Sequence, residues 1–238
     1  MGTRLAKMQE AKRIVCELID VFRAGFTSAL CLYGIWNFIQ DPDGQYGQHR
    51  YFDYVSNANE FFCAVWAVFT VFSRRIESPR LRFWDKWLTT QTMCSSYLIA
   101  LVYWGMMDKV NYGLHSLWQH GGLGLLTSID FISQRPYKFK WILAPFIYCF
   151  CDCFYMFAIA MLWPETRDAV YKFATFGEFG SESMYEVLKL QFILTFVVQT
   201  TLFCILWTVQ RTFWFVNDKF SKKEDTSSTN SDSKLLNE

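Results

Sequence analysis

Six apolar runs, separated by short polar connectors, limit what this chain can fold into more than any other feature. They cover residues 24–39, 54–73, 87–107, 112–133, 141–163 and 190–207. A helix needs about 17–25 residues to cross the hydrocarbon core of a bilayer. Five runs reach that length, and the first does so if it starts near Val21. A chain in lipid must satisfy its own backbone hydrogen bonds, so runs this long read as helices. They are too long and too continuously apolar for barrel strands. The expected fold is therefore all-α, a polytopic membrane protein with six transmembrane helices within residues 24–210. A segment 1–23 precedes them, and a polar, serine-rich tail 211–238 is expected to be disordered. Hydrophobic residues make up 52% of the 238 and aromatics 19%, more aromatic surface than a small soluble core can enclose.

Charge orients the helices. Arg4, Lys7, Lys12, Arg13 and Arg23 precede the first run, and Arg74, Arg75, Arg80, Arg82 and Lys86 follow the second. Arg135, Lys138 and Lys140 follow the fourth, and Arg211, Lys219, Lys222 and Lys223 follow the sixth. The other connectors are richer in acids, among them Asp41, Asp43, Asp53, Glu165, Asp168, Glu178, Glu182 and Glu186. By the positive-inside rule both termini are cytosolic, in the plasma membrane or an endomembrane. The first segment is charged and lacks a cleavage pattern, so no cleavable signal is expected. A net charge of +1 gives no reason to expect nucleic acid as a partner.

Eight cysteines are present, none in an outward connector, so a disulfide framework is not expected. Cys149, Cys151 and Cys153 are spaced like a metal motif, but residues two apart on a helix point in different directions. There is no Gly-rich phosphate loop and no HExxH pair, so neither a metal nor another cofactor is expected.

Ionisable residues at membrane depth are costly and become functional candidates. They are Glu60 in the second run, His115, His120 and Asp130 in the fourth, and Asp152 in the fifth. Asp130 lies near the cytosolic end, where it would reach the headgroups or meet Arg135. Asp152 and His120 each lie midway along their runs, so a hydrogen bond between them is expected to orient the imidazole. Ser56 and Asn57 open the second run, where they read as a helix cap or as glue between helices. Gly121, Gly122 and Gly124 beside His120 would let a neighbouring helix or a lipid tail approach.

Two short motifs carry a resemblance. Tyr54-Val-Ser-Asn57 after an outward connector resembles the [FY]-[LV]-T-N opening of the second helix in a family of six-helix membrane proteins. His120-Gly121, ten residues before Asp130 and followed by Pro136, resembles that family's fourth helix. The family comprises the androgen-induced protein, the androgen-dependent tissue-factor-pathway-inhibitor-regulating protein and the more distant rolling stone proteins. Its androgen-related members hydrolyse fatty acid esters of hydroxy fatty acids with an intramembrane Thr nucleophile and a His. The resemblance implies Ser56 as nucleophile and His120 as base, with a lipid ester as substrate and membrane lipids as surroundings. Asn57, Asp152 and His115 are possible supports, His115 also being an alternative base and Asn57 an oxyanion donor. Ser116 and Leu117 stand where the androgen-related members carry an Asn and a second His.

A second reading is a non-enzymatic adhesion, fusion or trafficking factor of the rolling stone kind. Gln191, Thr195, Gln199, Thr200 and Thr201 of the sixth run would then bind a partner helix. With no inverted repeat evident, a transporter is the weaker reading.

Overall fold

The structure, a computed structural model, describes residues 2–40, 55–106, 113–162 and 179–235. The acidic positions Asp41, Asp43, Asp53, Glu165, Asp168 and Glu178 of the outward connectors lie outside the described residues, as does Tyr54 of the first motif.

Among the described residues all regular structure is helical, in six helices. They are α1 (Gly2–Gln40), α2 (Val55–Ser73), α3 (Pro79–Met106), α4 (114–133), α5 (139–162) and α6 (182–235). Two of them change pitch. In α4 a π-helical turn, Trp118–Gly122, interrupts the α-helix, and in α6 a second one covers Ile193–Val198. Local chemistry explains several ends. Pro79 opens α3 at a position where a backbone N–H has no partner to lose. Ser181 caps α6 by accepting the Met184 N–H at 3.2 Å, after Gly180 has turned the chain with a φ of 82°. No Gly or Pro falls between 182 and 235, and beyond its π-turn α6 continues to Leu235. In the same way α1 starts at Gly2, and the expected boundary at 23/24 falls inside one continuous helix.

Among the described residues, Phe139–Leu162 and Glu182–Lys219 are the helices that are, by length and composition, apolar enough to cross a membrane. Polar side chains dilute α1 to α4, and many of those in α2 to α4 point inward. Asn59, Thr89, Thr92 and Thr127 are fully buried, while Leu125 and Ile129 on the outer face of α4 are 63% and 69% exposed. A water-soluble bundle has the opposite polarity. The apolar core lies elsewhere, where Met93 and Cys94 of α3, Phe131 of α4, Tyr137, Trp141 and Ile142 around the start of α5, and Phe203 of α6 pack together. Buried Gln210 fastens that connector. Its Nε2 donates to the Phe131 carbonyl at 2.5 Å, and its Oε1 accepts from the Tyr137 N–H at 3.0 Å.

At the opposite end of α2 from Ser56, α1 to α4 are joined by a buried ionic network. Arg23 of α1 donates to Asp130 of α4, to Asp20 at 2.8 Å and to Thr70 of α2 at 2.8 Å. Its guanidinium lies 4.6 Å from the centre of the Trp66 ring. Arg74 reaches both Asp130 oxygens, at 2.8 and 2.6 Å, and Asp85 at 3.5 Å. Gln134 adds a donor to Asp130 at 2.8 Å. The expected Asp130–Arg135 contact is therefore corrected. Asp130 faces inward and is only 5% exposed, whereas Arg135 pairs with Asp218 at 3.4 Å and covers Trp214. Burial pushes the Asp85 carboxyl above the ordinary carboxylate range, against the pull of Arg74. For Arg74 burial opposes the charge, but the bonds and charge of Asp130, with Asp85 and Asp20, outweigh it and hold the guanidinium above its usual range.

Candidate functional site

The first turn of α2 is enclosed on every side: Ser56, Asn57, Ala58, Asn59 and Glu60 are all buried. Among the described residues α2 runs from Val55, and Ser56 is its second residue. The polar residues of that turn divide between two neighbours. Asn59 turns to α3, donating to Ser96 Oγ at 2.9 Å and accepting from Ser95 Oγ at 2.5 Å. Asn57 and Glu60 turn to α4, where Gln119 Nε2 donates to Asn57 Oδ1 at 2.7 Å and to Glu60 Oε2 at 3.1 Å. Glu60 Oε1 lies 3.1 Å from His115 Nε2. Successive residues of an α-helix differ by about 100° around its axis. Ser56 therefore projects between the directions of Asn59 and Glu60, toward the seam of α3 and α4.

His120 faces the same seam. It is 7% exposed, its imidazole lies against the Tyr103 ring of α3, and its carbonyl oxygen accepts from Trp104 Nε1 at 2.9 Å. Its Nδ1 is buried with no hydrogen-bond partner. The Gln119–Asn57 bond sets the register, placing the residue before His120 beside the residue after Ser56. No hydrogen bond joins the side chains of His120 and Ser56 among the described residues.

His115 and His120 differ in availability. The outer ring nitrogen of His115 is occupied by Glu60, and the ring packs edge-on against Tyr33 at 5.4 Å. The carboxylate expected beside an imidazole is thus present, but it is Glu60 and it serves His115. Asp152 makes no hydrogen bond to His120 among the described residues. The turn carrying His120 packs on α3 and α2, whereas α5 packs on α3 and the π-turn of α6. Near Asp152 the three cysteines diverge. Cys149 accepts from Gln199 at 3.1 Å, Cys153 donates to Gln191 at 3.0 Å and Cys151 is exposed. Among the described residues no group of three His, Cys, Asp or Glu side chains could hold a metal.

Of the glycines beside His120, only Gly122 is sterically required, since a Cβ there would stand 2.3 Å from the Trp118 ring. Gly121 has open space and Gly124 makes ordinary contact with Tyr97. Gly34 of α1 matters more to the site. A Cβ on it would meet Glu60 Oε2 at 2.9 Å and His115 Nε2 at 3.3 Å. Gly34→Ala is expected to displace the Glu60–His115 pair and cost about 1–3 kcal/mol. Gly25→Ala, where nothing lies within 4 Å, should be neutral or stabilising. Thermal unfolding of the two variants in detergent compares them directly, and equal midpoints would mean that the pair tolerates displacement.

The Glu60–His115 pairing was not expected from the sequence, where Glu60 stood out only as an acid inside an apolar run. The spacing of Asn57 and Glu60 on one helix against His115 and Gln119 on the other was the available signal, because residues three and four apart share a helix face. Comparison with protein-family models, with curated proteins and with solved structures finds no match to this chain.

Proposed function

We propose that this chain is a six-helix integral membrane protein with both termini cytosolic, and that it hydrolyses lipid esters with Ser56 as nucleophile and His120 as base. The inverted polarity of α1 to α4 supports the membrane reading. Side chains such as Leu125 and Ile129 face outward, and the polar groups that lower the hydropathy of these helices are buried against one another. A glycosylation acceptor placed between 164 and 181 should be modified in a luminal compartment, and one placed at Arg75–Arg82 should not. The reverse pattern would rule out this orientation.

The observation that carries the hydrolase reading is a buried imidazole with an open nitrogen beside a buried hydroxyl. A base needs a lone pair that nothing else occupies. His120 Nδ1 is buried without a partner, while the Glu60 contact at His115 Nε2 leaves the other His115 nitrogen as the alternative base. Nucleophile and base draw closer when substrate binds, and apo sites are commonly looser. Ser56 Oγ attacks the ester carbonyl carbon as His120 takes its proton. The acyl carbon–oxygen bond breaks, and His120 returns that proton to the departing hydroxy-lipid oxygen. Water then attacks the acyl-Ser56 carbon while His120 takes a proton from it. The acyl–Oγ bond breaks, Ser56 regains its proton from His120, and the fatty acid leaves.

Negative charge on the carbonyl oxygen would fall at the N-terminal turn of α2. The first N–H groups of a helix lack intrahelical partners, and its dipole favours an anion there. Asn57, held by Gln119 through its Oδ1 at 2.7 Å, is the proposed oxyanion donor. The test is fluorophosphonate labelling of the full-length protein in detergent, with the modified residue mapped. Labelling at Ser56, together with hydrolysis of a fatty acid ester of a hydroxy fatty acid, supports the reading. Absence of both removes it in favour of a non-enzymatic membrane protein.

A further inference from the structure

Taking His120 as the base, we infer that Tyr103 and Trp104 of α3 are its positioning residues, and that the Tyr103 ring stands in for the carboxylate that a catalytic histidine ordinarily leans on. The rings of Tyr103 and His120 lie face to face, with centroids 3.5 Å apart and planes 7° from parallel. One whole face of the imidazole is covered. Aromatic pairs usually prefer offset or edge-on arrangements. A face-on stack becomes favourable when one ring carries positive charge, because the face of the other is electron-rich. An imidazolium forms at His120 each time it takes a proton, and among the described residues no carboxylate bonds to it.

Tyr103 is itself anchored to the helix it serves. Its hydroxyl lies 2.9 Å from Ser116 Oγ, one turn before His120 on α4. The next residue holds the backbone, with Trp104 Nε1 donating to the His120 carbonyl oxygen at 2.9 Å. That carbonyl belongs to the π-helical turn Trp118–Gly122, where the ordinary α-helical pattern is broken. Two neighbouring side chains of α3 thus fix both the ring and the backbone of His120.

The test uses the full-length protein in detergent, reading the fluorophosphonate labelling rate together with kcat and KM on a fatty acid ester of a hydroxy fatty acid. Tyr103→Leu removes the ring, and kcat and labelling rate should fall about 10-fold with KM unchanged. Tyr103→Phe keeps the ring and should retain most of the rate. Trp104→Phe keeps the bulk but loses the N–H, and should lower kcat by a factor of about 3–10. Wild-type labelling and kcat in Tyr103→Leu would overturn the inference, as would equal losses in Tyr103→Leu and Tyr103→Phe. If Tyr103→Leu does not fold, Trp104→Phe decides the matter, and a wild-type kcat there overturns the inference. A wild-type protein that is neither labelled nor active, or a His120→Ala variant labelled as fast as wild type, overturns the hydrolase reading itself and the inference with it.

Discussion

His120→Ala should slow ester hydrolysis by about 10²–10⁴-fold, the range a positioned general base supplies. Ser56→Ala should abolish fluorophosphonate labelling altogether, and the double variant should be no worse than the more damaged single. Residues that act as one unit lose their function once, so their losses do not add. Ser56→Thr should retain activity, since it keeps the hydroxyl. On the reading that His120 is the base, His115→Ala should leave most of the rate, although it removes the ring paired with Glu60 at 3.1 Å. Steady-state kinetics and labelling on the same purified samples check the whole set. A His115→Ala loss larger than the His120→Ala loss would move the base to the Glu60-paired ring. A Ser56→Ala variant that hydrolyses at the wild-type rate would leave Ser56 a structural residue of the first turn.

The second large effect is on stability. Asp130→Ala should destabilise the fold by about 3–5 kcal/mol, the usual cost of leaving buried charge uncompensated. The carboxylate receives Arg23 and Arg74 together, and both would lose their main partner. Arg135→Ala should change stability by no more than about 0.5 kcal/mol, since that side chain is exposed and its ion pair with Asp218 is 3.4 Å long. Thermal unfolding in detergent, followed by size-exclusion profile, distinguishes the two. Similar midpoints for both variants would show that Asp130 does not hold the bundle together.

Apolar run length made the six helices legible, because a helix long enough to cross lipid leaves its trace in composition alone. Charged clusters at 74–86 and 135–140 likewise marked two boundaries between helices, although Arg80, Arg82, Lys86 and Lys140 fall within the helices that follow. What could not be read was the rotation of each helix about its axis. Asp130 is five residues from Arg135 and 107 from Arg23, and nothing local favours the distant partner. Only the packing of α4 against α1 and α2 decides it. The same limit applied to His120 and Asp152. Their positions midway along two apolar runs suggested a pair, but no hydrogen bond joins them among the described residues. Glu60 was visible as an acid in oil, yet its partner depended on a register fixed by Gln119 and Asn57. The π-turn under His120 had no sequence signal beyond Gly121 and Gly122.

The long reach from Arg23 to Asp130 has a consequence for how the protein is made. On the membrane reading, α1 enters the bilayer carrying an arginine whose only early partner is Asp20, three residues away. Arg74 emerges next, adding a second positive charge to the same spot before its own main carboxylate exists. Both wait for Asp130, which is synthesised near the end of α4. A nascent chain stopped after α3 therefore pairs its two arginines with Asp20 and Asp85 alone, and a chain stopped after α4 adds the buried carboxylate that both share. Ribosome-bound intermediates should pass from chaperone-retained to released at that point, which makes completion of the fourth helix, not the first, the committed step in biogenesis.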